Sequence, residues 1–238
     1  MDIVILAGGK CSPELEAFAG TPWRALLPWG ESTILDQVVQ ALEPLGEIIL
    51  VGGPESSNAR RVPSGATFVE SIGNGLAEVR SENFLLATSD TPYLTSDSVS
   101  DFLSRTDPAA LFNFPIIPVQ AGRELKRTSI RLREGRFTGG NLALVHRDLV
   151  RQSLPILEQA YAARKKPLQL ASMVGLGTLA QLVVGQIVPS LLPLRTLERA
   201  VGRFLRAPVK AIPTEYSEIG DDIDTLEQYQ TALRSLRA

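Results

Sequence analysis

Three short stretches of the 238-residue chain combine residue types that can handle phosphate and a hard cation. The first is Leu6-Ala7-Gly8-Gly9-Lys10. Glycines directly after an apolar run let backbone N–H groups approach an anion with no Cβ in the way, and Lys10 adds positive charge. A double glycine is also a plain turn, and the spaced-glycine, Lys, Ser/Thr frame of a P-loop is missing. The second stretch is Ser89-Asp90-Thr91-Pro92. A carboxylate before a proline turn suits Mg²⁺, and it equally suits capping of the turn. The third, Asp221-Asp222-Ile223-Asp224-Thr225, sets three acids ahead of a helix. Helix N-terminal charge and capping use one or two acids, so a third has to be offset by a cation or by solvent.

Those loops need a scaffold that ends its strands on one side. Ile3 to Leu6 is a short all-apolar run of the kind buried in a parallel sheet. Ile34, Leu35, Val38, Val39 and Leu42 recur at helical spacing, with Ser32 or Thr33 as N-cap. Ile48 to Val51 reads as a second strand ending in Gly52-Gly53-Pro54, Thr67 to Val69 as a third, and Phe84 to Ala87 as a fourth. Thr95 caps a helix through Val99, Phe102 and Leu103. The rhythm predicts a three-layer α/β/α sandwich around a mostly parallel mixed sheet. Residues 128–145 read as an antiparallel ribbon turning at Glu134-Gly135, and residues 147–205 as helical. Val209 to Ile212 reads as a late strand, and Thr225 caps a last helix. The expectation is one domain over residues 1–238 with a helical insertion at about 151–205.

Composition narrows the function classes. One Cys and one His exclude a disulfide framework and a Cys- or His-rich metal centre, leaving open only that Cys11 meets His146. A formal charge of −2 argues against a nucleic-acid partner. Met1-Asp2 runs straight into the apolar strand with no basic leader, so cytoplasmic residence is expected. From Leu168 to Leu194 no charged residue occurs, but Gly175, Gly177, Gly185, Pro189 and Pro193 interrupt the run. A helical hairpin over the core or in a homodimer is expected there, with an interfacial membrane contact as the alternative and no transmembrane span. Gly175-Leu-Gly177-Thr-Leu-Ala180 lacks the preceding strand that a dinucleotide fingerprint requires. Arg164-Lys165-Lys166 is a solvated helix end or an anion patch.

Taken in order, the loops resemble the nucleoside triphosphate transferases of the glycosyltransferase-A-like, Rossmann-like fold. Molybdenum-cofactor guanylyltransferase and the sugar-1-phosphate nucleotidylyltransferases are of this type. VILAGGK followed by RALLPWGESTILDQVVQAL resembles their glycine-rich signature, and GNGLAEV (73–79) their base-reading segment. LLATSDTPYLT resembles the Asp-x-Pro strand end, FTGGNLALV the acceptor-side turn, and DIDTLEQYQTA the terminal metal-binding pattern.

The resemblance implies an Mg²⁺-dependent nucleotidyltransferase acting on a nucleoside triphosphate and a phosphorylated small-molecule acceptor. It assigns Leu6, Ala7, Gly8, Gly9, Lys10, Gly73, Asn74 and Gly75 to the nucleotide, and Lys126, Arg127, Gly140 and Asn141 to the acceptor. Asp90, Asp222 and Asp224 would hold the metal, and Lys10, Arg24 and Asp90 would carry catalysis. Two departures stand out. Pro13 occupies the place of the family's triphosphate-gripping arginine, and Arg24 that of its lysine. A glycosyltransferase using a nucleotide-sugar, and a nucleotide-binding regulator without chemistry, are the alternatives.

Overall fold

A computed structural model describes residues 1–53, 59–119, 129–162 and 192–236. The expected patch Arg164–Lys166, the pair Lys126 and Arg127, and nearly all of the uncharged stretch lie outside the described residues. Strand β1 (Asp2–Leu6) is buried along its whole length. It pairs in parallel with β4 (Glu47–Val51) and β6 (Asn83–Thr88), with Leu6 opposite both Val51 and Thr88. This register ends three strands at one edge. Strand β5 (Arg60–Val62) adds in parallel to β4. A short hairpin of β2 (Pro28–Trp29) and β3 (Ser32–Thr33) stands apart from the main sheet.

Beyond β6 the sheet becomes mixed. Strand β10 (Leu142–His146) runs antiparallel to both β6 and β7 (Phe112–Pro118). Strand β9 (Gly135–Gly139) takes over along the far half of β7 and carries β8 (Ile130–Leu132). Strand β11 (Val209–Pro213) pairs in parallel with β7. The predicted ribbon is therefore β8 and β9, while β10 leaves it to close the parallel core.

Strand β7 carried no sequence signal because Pro115 interrupts its Phe-Asn-Phe-Pro-Ile-Ile run, and proline is rare in a central strand. The break between β9 and β10 is what tolerates it. Pro115 O accepts from Gly140 N at 3.1 Å, so the N–H that proline lacks would point to the same side, where the ladder is interrupted.

Alternation along β1 divides the core in two. Ile3 and Ile5 face α2 (Ile34–Leu42), α4 (Ser96–Ser104) and α7 (Leu226–Leu236). Val4 and Leu6 face α3 (Phe68–Glu78) and α5 (Arg147–Ala162). The three-layer α/β/α architecture stands. Residues 151–162 belong to α5, packed beside α3, and α6 (Leu194–Leu205) packs near β11, so both described ends of the stretch from 151 to 205 are built into the domain. No helix among the described residues is long and apolar enough to cross a membrane.

The expected strand at Thr67 to Val69 is a helix start instead. Thr67 Oγ1 accepts from Glu70 N at 3.0 Å, and Glu70 Oε2 accepts from Thr67 N at 3.2 Å. This reciprocal capping box satisfies two donors that a strand reading leaves unexplained. As a result Gly73, Asn74 and Gly75 lie inside α3. A Cβ on Gly75 would come within 2.7 Å of Val4 Cγ1 and 2.8 Å of Val51 Cγ2, whereas one on Gly73 would meet Leu154 at an ordinary 3.6 Å.

Gly75→Ala should accordingly cost about 1–3 kcal/mol by overpacking the helix–sheet contact. Gly73→Ala should be neutral or stabilise by about 0.4–1 kcal/mol, since it adds helix propensity without a clash. Urea unfolding of the two variants checks the contrast; equal effects would contradict it.

Asp2 provides a pH-dependent anchor for β1. Burial raises its pKa, but hydrogen bonds from Ser81 N (2.7 Å), Arg80 N (2.6 Å) and Ser81 Oγ (2.9 Å), helped by the N-terminal ammonium, outweigh it and hold the carboxyl below 3.8. A depressed folded-state pKa gives stability that is present above the unfolded value and lost as pH falls through the folded one. Asp2→Asn should therefore flatten the acid limb of the stability–pH curve below about pH 4, measured by denaturant titration.

Candidate active site

A cleft of about 410 Å³ opens where β1, β4 and β6 end, and Leu6, Gly8, Gly9, Lys10, Arg24 and Asp90 are among its lining residues. Its floor is a pair of strand-like segments: Arg24 N donates to Gly9 O at 3.0 Å and Cys11 N to Pro22 O at 2.9 Å. Lys10 bridges Trp23 across this ladder, its Nζ 5.5 Å from the indole centroid. Among the described residues Lys10 makes no ion pair, and its side chain is exposed.

Gly9 has a reason beyond anion approach. A Cβ there would sit 2.7 Å from Arg24 Nη2 and 2.9 Å from Nε, so a side chain at this position would push the guanidinium from its place against the loop. Arg24 Nη1 meets Asp90 Oδ2 at 2.9 Å and also contacts Asp224 Oδ1. Asp90 is buried, at 8% exposure, whereas the Asp224 side chain is half exposed. Among the described residues, three polar atoms of the cleft are buried without a hydrogen-bond partner: Arg24 Nε, Asp90 Oδ1 and Thr88 Oγ1. Such atoms are costly unless something fills their bonding capacity.

The acidic loop is held to the strand ends by backbone bonds. Ile223 N donates to Asp90 O at 2.9 Å, and buried Ile223 wedges into the core. Asn141 N donates to Ile219 O at 2.9 Å and Asn141 Nδ2 to Gly220 O at 3.2 Å. Gly140 is tight for the same reason, since a Cβ would stand 2.7 Å from Pro115 and 2.8 Å from Ile219. Gly140 and Asn141 thus fasten the acidic loop and do not line the cleft. Thr225 does cap α7: its Oγ1 accepts from Gln228 N at 3.3 Å, which leaves Asp222 and Asp224 out of the capping role.

The structure brings Lys10, Arg24, Asp90 and Asp224 together with Gly8 and Gly9. Ala7 is buried under the loop, and Gly73, Asn74 and Gly75 are not among the lining residues, although Asn74 Nδ2 donates to Pro63 O at 3.0 Å, next to the lining residue Ser64. Neither Asp222 nor Asp224 is among the lining residues; Asp224 joins the site through Arg24, and Asp222 keeps its backbone N on Gly220 O at 3.1 Å. Among the described residues no group of three or more His, Cys, Asp or Glu forms a ready-made metal cage.

Sequence reasoning missed the opposite wall: Ser64 to Phe68, Ser71 and Tyr161, with the Phe68 and Tyr161 rings stacked 6.3 Å apart. The Thr-x-x-Glu pattern at 67–70 was the available signal. Pro13 also gains an explanation. It opens α1 (Pro13–Ala19), whose N-cap Ser12 accepts from Leu15 N at 3.3 Å, so the signature arginine's place is a helix start. Cys11 and His146 do not meet, since His146 pairs with Asn83 at the far end of β6. Burial pushes the Cys11 thiol pKa up against the opposing charge of Arg24, which favours the neutral thiol over the thiolate.

Comparison with known proteins follows from this geometry. Residues 3–173 match the MobA-like NTP transferase domain. No curated protein matches the sequence. A hypothetical transferase from Thermus thermophilus is similar in structure at 34% identity, with a TM-score of 0.84 over 95% of this chain and 98% of that one. The 2-C-methyl-D-erythritol 4-phosphate cytidylyltransferase of the same organism is similar at 19% identity, with a TM-score of 0.59 over 100% of this chain and 98% of that one. The CMP:2-keto-3-deoxy-manno-octonic acid synthetase is similar at 14% identity and a TM-score of 0.59, over 99% and 98%. At these last two identities the likeness is one of fold.

The Asn141 amide should be worth about 0.5–1.5 kcal/mol as a net hydrogen bond. Asn141→Ala is expected to lose that much in urea unfolding and to speed hydrogen exchange at the amides of 221–224. Unaltered exchange there would show that the loop is held without it.

Proposed function

The chain belongs to the MobA-like NTP transferase family and is a nucleotidyltransferase, and on that premise we propose that it moves an NMP from an NTP to a phosphorylated small-molecule acceptor. The observation that carries the reading is the cleft itself. At the carboxyl ends of parallel strands it sets Lys10, with no ion pair among the described residues, and two loop glycines beside buried polar atoms that lack hydrogen-bond partners. The triphosphate would lie over Gly8 to Lys10, with Lys10 neutralising its charge. Ser64 to Phe68 and Tyr161 offer the apolar and aromatic wall a base can stack on.

The donor set fits Mg²⁺. Asp90 Oδ1 is a buried hard oxygen without a hydrogen bond among the described residues, and Asp224 shares one cationic nitrogen with Asp90. Two carboxylates supplemented by phosphates and waters match the way this ion is held without an all-protein cage. When bound it would supply neutralisation of charge on the reacting phosphates.

The acceptor's phosphate oxygen attacks the α-phosphorus in line, a new P–O bond forms, and the bond to the β-phosphate breaks to release pyrophosphate. The chain's own residues hold and orient the two substrates; no covalent enzyme intermediate is needed. Lys126 and Arg127, suggested by sequence for the acceptor, remain assigned to it on the sequence resemblance alone. An NTP substrate agrees with the cytoplasmic residence expected from sequence.

A panel of four NTPs with Mg²⁺, read by thermal shift and then by pyrophosphate release with phosphorylated acceptors, tests the reading. Saturation at 100 times the dissociation constant should stabilise the protein by about 2.7 kcal/mol. Lys10→Ala should weaken NTP binding by about 1.5–3 kcal/mol, the range for a charged hydrogen bond. Binding of an NTP without pyrophosphate release from any acceptor would favour the regulator reading, in which the loss of the arginine at Pro13 has ended catalysis.

A further inference from the structure

We infer that Arg24 is a resident counter-cation for Asp90 and Asp224, so that the nucleotide-free protein refuses a divalent ion offered alone and takes it only together with an NTP. The inference rests on the nucleotidyl-transfer reading above and concerns how the same site is charged. One nitrogen, Nη1, contacts both carboxylates, the buried Asp90 through Oδ2 and the half-exposed Asp224 through Oδ1. The guanidinium thereby stands where positive charge is needed, and two cations held by the same pair of carboxylates repel one another.

The placement is built. The backbone bond from Arg24 N to Gly9 O fixes the base of the side chain, and the missing Cβ of Gly9 gives its head room. Lys10, one residue away on the same ladder, sits over Trp23, makes no ion pair among the described residues, and is the cation that the proposed function assigns to phosphate. Two basic residues at one loop therefore have different partners.

The pair is also incompletely satisfied. Arg24 Nε and Asp90 Oδ1 are both buried, yet neither has a hydrogen bond among the described residues, and the Asp90 side chain is only 12% exposed. An ion pair serving stability alone gains from filling those positions, because buried charge without full hydrogen bonding is costly. Phosphate oxygens would give the guanidinium fork the acceptors it lacks, while a hard cation would give Asp90 Oδ1 its partner. Neither exchange is complete without the other. A metal alone leaves Arg24 stranded, and a nucleotide alone leaves the two acids bare once Arg24 turns to it. Metal and nucleotide binding are then positively coupled, and the coupling acts equally in both directions.

Mn²⁺ serves as a paramagnetic probe for the hard-cation site. Free Mn²⁺ is titrated by electron paramagnetic resonance against the full chain without nucleotide, for the wild type, Arg24→Gln, Arg24→Lys, and Arg24→Gln combined with Asp90→Asn. The wild type and Arg24→Lys should bind Mn²⁺ weakly. Arg24→Gln should bind it about tenfold more tightly or better, and the added Asp90→Asn should remove the gain.

A folded Arg24→Gln variant, verified by circular dichroism, that binds Mn²⁺ no better than the wild type would overturn the inference. Should that variant not fold, the wild type decides. Mn²⁺ affinity at least about tenfold higher with an NTP present, after subtraction of the Mn²⁺ that the same NTP chelates in a protein-free titration, supports the coupling, and equal corrected affinities overturn it. A wild type that takes up none of the four NTPs with Mn²⁺ overturns the underlying nucleotide reading, whatever the Mn²⁺-only titrations give.

Discussion

Repulsion between Asp90 and Asp224 is the problem that the carboxyl edge of the sheet has to solve, and the Arg24 guanidinium solves it by touching both. Arg24 and Asp224 lie 200 residues apart in sequence, so this one contact ties the chain's opening segment to its last helix. Its requirements propagate outward. Gly9 must lack a side chain to make room, the 9–11 and 22–24 segments must pair to fix the arginine's backbone, and Ile223 must anchor the acidic loop beside Asp90. The Tyr229 hydroxyl, donating to Pro28 O at 2.7 Å, docks α7 onto the segment that follows Arg24.

Parallel pairing makes such a concentration of loops possible. Because β1 is flanked in register by β4 and β6, their loops emerge together, and helices on both faces keep the strands dry. The antiparallel β10 then returns Gly139-Gly140-Asn141 to the same edge, where Thr88 N donates to Asn141 O at 3.1 Å. A break in one strand thus does two jobs: it lets β9 and β10 share β7 around Pro115, and it positions the clamp on the acidic loop. The family fold is preserved while the details of charge have been redistributed. The place that the resemblance gives to a triphosphate-gripping arginine is Pro13, at the Ser12-capped start of α1, and Arg24 stands at the place of the family's lysine.

The sequence by itself determined the parts that depend on nearest neighbours. Apolar runs fixed β1, β4 and β6. Helical periodicity behind Thr33 and Thr95 fixed α2 and α4, and the Gly-Gly-Lys, Asp-Thr-Pro and Asp-Ile-Asp loops were visible as chemically capable. It misjudged Thr67 to Val69, where three residues of strand-like composition were outweighed by a capping box reaching to Glu70. It also passed over β5 and β7, one short and exposed, the other broken by proline. Only the tertiary structure decided which acids and bases face each other, because that depends on register and on loops brought together across the whole chain. It gave Asp224 to Arg24, turned Asn141 into a clamp, buried Gly75 against Val4 and Val51, and assembled the Ser64 to Phe68 wall with Tyr161. Local propensity acts over a few residues; charge pairing and close packing act between residues that only folding makes neighbours.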